Sequence, residues 1–413
     1  MKKKLRLLII SLIASAQVFA SGFQINDQGA RGMAMASAGA ALAFDASTLF
    51  YNPAGLSQLS GTQIMFGTTL VKPSSSFRGV SPAIDEVSKE PAIFTPINLY
   101  VSHQLNDDWS IGFGVNNQFG LGSEWDENWI GRYLTIKTQL TTFFITGGTA
   151  YKFSDKLSVG LTASYVYGSV DILRKSPLDP FAAEATIDLS GTGNSFAYAL
   201  GLLYKPSDLI SIGLNFRSTT KLEFSGTADI TAPSALKSLL PSGKITAPVT
   251  LPLNATIGLA LTPSKEWTIT SAFQYVGWSS YDKMEVTFTD MDPDFVSTSI
   301  RNFEDSWIAR LGAEYSVNSE FDLRAGLFYD KNPAQDEWLE PSLGDADRSG
   351  ITLGVGYKIT SSITIDVAYM FARFVERTIT NSKVDYTGGV AGFNGTYNSY
   401  ANLLGINFSY LIK

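Results

Sequence analysis

The chain has 413 residues, 45% hydrophobic, 12% aromatic and only 17% charged, with one His, no Cys and a formal net charge of −7. Without cysteine there is no disulfide framework, thiolate metal site or thiol nucleophile, and a single histidine leaves no histidine cluster for a metal. A mean hydropathy of +0.07 is too low for a bundle of membrane helices, while the aromatic-rich, charge-poor composition suits a β-rich membrane protein.

Residues 1–20 read as a secretory signal peptide. Lys2, Lys3, Lys4 and Arg6 form a basic start, an apolar run follows from Leu7 to Ala14, and Val18-Phe19-Ala20 places cleavage after Ala20. The apolar run is shorter than the roughly 20 residues of a spanning helix. Its removal leaves a more acidic chain, which argues against nucleic acid as a partner. From Gly29 to Ala41 the next segment is almost entirely Gly, Ala and Ser, and it runs on to Asn52-Pro53-Ala54. Pro53 fixes the backbone and Asn52 can bond nearby amides.

From about Thr62 onward, apolar residues alternate with small or polar ones. Leu157, Val159, Leu161, Ala163, Tyr165 and Tyr167 stand against Ser158, Gly160, Thr162, Ser164 and Gly168, and the pattern recurs from Ile210, Phe321, Ile351 and Leu404. Tyr and Trp close many runs, as in the aromatic girdles of a membrane barrel. Six short polar links (Asn106–Asp108, Ser154–Lys156, Pro206–Asp208, Pro263–Glu266, Asn318–Glu320, Thr360–Ser362) alternate with seven long ones, near 73–91, 121–135, 174–185, 222–248, 291–303, 331–348 and 379–397. Short periplasmic turns and long outer loops then define an all-β, 14-stranded antiparallel transmembrane β-barrel over 61–413, with both ends in the periplasm. This count treats Glu266–Asp290 as one strand, bulged near Trp278–Asp282. An open barrel of this size would hold an aqueous channel, so the small residues of 21–60 are expected to fill the lumen as an N-terminal hatch.

The third strand alternates through Ile111, Phe113 and Val115 and then reads Asn116-Asn117-Gln118-Phe119-Gly120. Asn117 falls on the lipid-facing phase, unfavourable unless the backbone turns inward, and Gly120 permits such a kink. In the outer loops, Leu236, Leu239 and Leu240 form a short apolar helical stripe between Pro233 and Pro241. With Leu178 and Phe181 they make a candidate hydrophobic landing site. Arg217, Arg310 and Arg324 fall on the inward phase, as candidate partners of a ligand carboxylate or of Glu314, Asp322 and Asp366.

Ser21-Gly22-Phe23-Gln24, the Gly/Ala run and Tyr51-Asn52-Pro53-Ala54-Gly55-Leu56 resemble the FadL family of outer-membrane transporters, including its TodX-like branch. Phe119-Gly120-Leu121, Gly131-Arg132-Tyr133, Leu251-Pro252-Leu253-Asn254, Gly277-Trp278-Ser279, Arg324-Ala325-Gly326 and Asp345-Ala346-Asp347-Arg348 continue the likeness. The C-terminal Tyr410-Leu411-Ile412-Lys413 departs from the aromatic ending usual for barrel-assembly signals. The resemblance implies passive uptake of long-chain fatty acids or aromatic hydrocarbons across the bacterial outer membrane, hatch rearrangement, and lateral release at the kinked third strand. It implies as partners a hydrophobic small molecule, outer-membrane lipid and the barrel-assembly machinery, with the chain monomeric and no cofactor or metal.

The alternatives are a general diffusion porin for small polar solutes or an outer-membrane lipase. A lipase needs a base for its nucleophile, and His103 lies beside a short turn, far from the outer loops. Asp345, Asp347 and Arg348 read as a solvated loop tip, too poor in oxygens for calcium.

Overall fold

The computed structural model describes residues 22–412 except 180, 182, 238, 239 and 387–391. The expected signal peptide, Ser21 and Leu239 lie outside the described residues. Fourteen antiparallel strands form one closed sheet. They are β1 (Thr62–Gly79), β2 (Ile97–Gln104), β3 (Trp109–Asn116 and Gly120–Glu124), β4 (Lys137–Ser154) and β5 (Leu157–Leu178). Then come β6 (Ala183–Ser207), β7 (Ile210–Arg217 and Thr220–Thr231), β8 (Gly243–Leu251 and Asn254–Leu261) and β9 (Trp267–Val276 and Lys283–Phe288). The last five are β10 (Phe295–Ile300 and Ser306–Ser316), β11 (Phe321–Asp330), β12 (Arg348–Lys358), β13 (Ile363–Phe374 and Arg377–Ile379) and β14 (Gly395–Ile412).

β14 pairs with β1 along Thr62–Gly79, which closes the sheet and leaves no edge at membrane depth. The outward phase carries exposed apolar residues such as Leu161, Leu311 and Leu353. Ring pairs Trp109–Tyr151, Trp267–Tyr315 and Phe321–Tyr357, with centroids 4.7–4.8 Å apart, sit beside the short turns, where one polar end suits the interface.

The outer links differ from the sequence expectation. The links near 174–185 and 222–248 are mostly strand and that near 291–303 is strand over Phe295–Ile300: β5 and β6 run 22 and 25 residues, against the roughly 9–11 that cross a bilayer. The sheet therefore rises above the membrane on one side and encloses space there. In the described part of the stripe between Pro233 and Pro241, the Leu236 and Lys237 amides both donate to the Pro233 carbonyl, at 2.8 and 3.1 Å. The interruption in β9 does fall near Trp278–Asp282: a 3-10 turn at Trp278–Ser280 carries the indole into the interior, fully buried.

Candidate functional site

The segment before β1 lies within the barrel. Helices α1 (Ala30–Ala34) and α2 (Thr48–Tyr51) precede a 3-10 turn at Pro53–Gln58, and nearly every residue is buried. Inward-facing side chains satisfy its backbone. Thr352 Oγ1 donates to the Ala34 carbonyl (2.8 Å), Thr270 Oγ1 to Ala38 (2.7 Å) and Asn215 Nδ2 to Tyr51 (2.7 Å). Arg31 Nη2 reaches Glu314 Oε1 at 2.8 Å. In Asn52-Pro53-Ala54, Asn52 Nδ2 donates to the carbonyls of Ala40 (2.7 Å) and Leu202 (3.0 Å), and its Oδ1 accepts from the Ala54 amide (3.2 Å). A Cβ at Gly160 or Gly201 in the facing wall would strike this tripeptide, so the wall is thinned where the segment presses on it.

Two of the three candidate arginines are occupied by the protein's own groups. Arg324 is bound by Glu314, by Asp366 at 2.6 Å and by Asp322 at 3.5 Å. Arg217 donates to the Phe50 carbonyl (2.7 Å) and lies 3.7 Å over the Phe50 ring. Arg310 faces a void of about 30 Å³ shared with Asp27, Asp330 and Arg348. None of the three lines the main outer cavity.

That cavity, of about 300 Å³, sits between the tall strand extensions. Ile172, Ile187, Leu189, Val286 and Phe288 supply apolar walls, and Phe23 also lines it. Arg174 on β5 enters the cavity, and among the described residues its hydrogen-bond partner is the Tyr133 carbonyl, 3.4 Å from Nη1, while Arg301 is paired with Glu340. The electrostatics of that pair hold Arg301, between the two pieces of β10, above the ordinary guanidinium value despite burial. Sequence reading missed Arg174, although the inward phase of β5 (Thr162, Ser164, Val166, Gly168, Val170, Ile172) leads directly to it. Of the expected landing residues, Leu240 lines the cavity, Phe181 stands exposed, and Leu178 and Leu236 are half-buried.

Between this cavity and a smaller one below lies the break in β3. Pairing of β2 with β3 ends at Asn98–Asn116, and the ladder to β4 is interrupted between Asn116–Phe144 and Gly120–Thr141. Asn117 is turned inward and only 1% exposed, so its place on the lipid-facing phase is not realised. Its Oδ1 accepts from the Ile97 amide (2.9 Å) and its Nδ2 donates to the Thr142 carbonyl (2.6 Å). One side chain thus replaces the missing ladder on both sides. The start of the chain bonds to the same break: the Ile25 amide donates to Gln118 (2.8 Å), the Gly120 amide to Phe23 (2.8 Å), and Gln28 Nε2 to Asn117 (2.6 Å). Phe23 packs edge-on against Trp278 (4.8 Å) and Tyr281 (5.4 Å), and meets Phe119 at 6.2 Å. Phe119, Gln118, Phe144 and Arg217 line the lower cavity.

The Asp345 cluster is not a solvated tip. Asp345 is 2% exposed, and its Oδ2 accepts the Gly22 amide at 2.9 Å. Burial pushes its carboxyl up to about 7. Arg348 is held by Asp330, and Asp347 accepts from Tyr329 (2.7 Å) and the Asn332 amide (3.0 Å). Among the described residues no group of His, Cys, Asp and Glu has metal-holding geometry. His103 Nδ1 lies 2.8 Å from Thr62 Oγ1, beside a short turn.

Residues 11–411 match the family described as "Outer membrane protein transport protein (OMPP1/FadL/TodX)". The chain is 27% identical to the 47 kDa outer membrane protein of Pasteurella multocida, covering 96% of each. It is 25% identical to the long-chain fatty acid transport protein of Salmonella typhi, over 90% of this chain and 92% of that one. A crystal structure of a Pseudomonas aeruginosa FadL homologue has the same fold, with a TM-score of 0.86 at 19% identity, covering 95% of this chain and all of that one.

Proposed function

The chain belongs to the OMPP1/FadL/TodX family of outer-membrane transporters of hydrophobic compounds, and on that premise we propose that it passes an amphipathic or hydrophobic molecule, a long-chain fatty acid in the first instance, from the outer cavity through the barrel wall at β3. One observation carries this reading: residues 22–28, with Phe23 in the cavity lining, are hydrogen-bonded to the β3 break itself. Whatever displaces Phe23 therefore also unpairs Gln118 and Gly120. The lower cavity, lined by Gln118 and Phe119, becomes continuous with the upper one, and the ligand leaves where the ladder is already interrupted. A sideways exit spares an apolar chain the aqueous periplasmic route, whose cost scales with exposed apolar area. Leu240 and Pro241 in the cavity lining collect the ligand, and Arg174 receives its head group. A porin reading needs an open lumen, and the burial of most of residues 22–59 against the wall speaks for a plugged one.

The chain lacks cysteine, so a disulfide engineered between Ile97→Cys and Asn117→Cys is the only one that can form. We expect it to reduce oleate uptake by whole cells to the level of cells without the protein. Purified protein should bind oleate as before, and reduction should restore uptake. Undiminished uptake in the cross-linked protein would refute exit at β3.

A further inference from the structure

The polar residues of the outer cavity are not confined to one end. On β5 the inward phase reads Ile172, Arg174, Ser176, and on the upper piece of β10 it reads Phe295, Ser297, Ser299 before Arg301; all of them line the cavity. Alternate residues of a strand are spaced about 6.6 Å apart, so these hydroxyls form rungs along the walls. Among the described residues, the hydroxyls of Ser176, Ser297 and Ser299 make no hydrogen bond, whereas the Ser342 hydroxyl in the same lining lies 3.5 Å from Glu340. The neighbouring strand β9 places Met284, Val286 and Phe288 in the same lining. Serines at the facing positions of β10 are therefore not dictated by packing.

We infer that the cavity is built for an anionic amphiphile bearing a hydroxyl group along its chain, a hydroxy fatty acid by class, in preference to the unsubstituted acid or a hydrocarbon. This rests on the proposed role of the cavity in uptake. The Arg174 guanidinium takes the carboxylate as a charge-assisted pair. The methylenes lie along Ile172, Ile187, Leu189, Val286 and Phe288, and the mid-chain hydroxyl exchanges hydrogen bonds with Ser297, Ser299 or Ser176. A plain acyl chain in the same place strips water from three hydroxyls and returns nothing. A site with unpaired polar groups discriminates against a ligand lacking the matching hydroxyl more strongly than an apolar pocket discriminates by size.

The test is competition against radiolabelled stearate on the purified barrel, with stearate and a mid-chain hydroxystearate as competitors. Hydroxystearate is expected to bind about tenfold tighter, the value of roughly one well-made buried hydrogen bond. In the Ser297→Ala/Ser299→Ala/Ser176→Ala variant the two acids should bind alike, through weaker hydroxystearate binding with stearate retained. Equal affinities in the unaltered protein, or a preference that survives in the triple variant, would overturn the inference while leaving the cavity as a fatty-acid site. If neither acid binds, the uptake reading fails with it.

Discussion

At the scale of single residues, two classes of buried arginine separate by their partners. Arg324 holds three carboxylates together, and removing one member of such a group leaves buried charge uncompensated, at about 3–5 kcal/mol. Arg324→Ala should therefore lower the midpoint of denaturant unfolding while changing oleate affinity little. Arg174 has no carboxylate within ion-pair distance among the described residues and faces the cavity. Arg174→Leu should weaken oleate about tenfold or more, the value of a hydrogen bond to a charged group, and leave toluene binding unchanged, as competition binding would show. Asp345 gives a pH dependence whose sign follows from linkage. Its ordinary value is 3.8, and burial raises it to about 7 against the opposing pull of Arg348, Arg377 and the Gly22 amide, with Asp330 adding to the rise. The state that buries Asp345 holds its proton more tightly than a released state in water, so acid favours the closed arrangement. That preference is lost as pH rises from about 4 through 7. Channel openings in planar bilayers should be more frequent at about pH 8 than at about pH 5.5, and Asp345→Asn, permanently neutral, should shrink the difference, leaving Lys89, which burial lowers to about 7, to titrate in the same range.

At the scale of strands and turns, the architecture is legible because membrane crossing imposes period two and the short turns are polar and compact. All six short links fall between paired strands. The amide run at Asn116–Gln118 also marked the β3 break, since an amide on the lipid side has no partner unless the backbone turns. The tall extensions were not legible. Above the membrane the outward face of β5 carries Asp171 and Lys175, so only the inward half of the alternation persists and the segment reads as loop, which hid Arg174. On β10 the inward phase changes from odd to even numbers across residues 301–305, where Asn302 takes a φ of 47°, and no continuous pattern connects Ser297 and Ser299 to Arg310. Asn117 is the element-level test of the break. Asn117→Ala removes both bonds that span it and leaves the Ile97 amide and Thr142 carbonyl unpaired. Native-state hydrogen exchange at Ile97 should accelerate, with exchange in β11 and β12 unaffected. Protection equal to the parent at Ile97 would mean that the break is held by other contacts.

At the scale of the whole molecule, the question is what fills a fourteen-stranded barrel. A sheet of this size closes around an aqueous channel unless its interior is filled, and here the filling is chain rather than side chain. The segment is held by charge, through Arg31 on Glu314, by hydrogen bonds from wall side chains such as Thr352 and Thr270, and by backbone contact with wall glycines, as at Gly213 against the Ala40 carbonyl and Gly312 against Met35. Charge and glycine contact differ in what they resist. An ion pair in a packed lumen is strong and directional, whereas glycine contact is dispersion alone, individually weak. Deleting residues 21–45 removes the ion pair and the glycine contacts of residues 30–41, while Arg324 remains bound by Glu314 and Asp366 in the wall. The barrel ladder, which involves deleted residues only at the bridge of Gln24 to Phe119 in the β3 break, should stay folded by circular dichroism, and single-channel conductance should rise several-fold. Arg31→Ala alone should give an intermediate result, flickering openings on a low baseline, because the glycine contacts still seat the segment. Low, steady conductance in the deletion variant would show that the outer extensions, rather than residues 21–45, seal the pore.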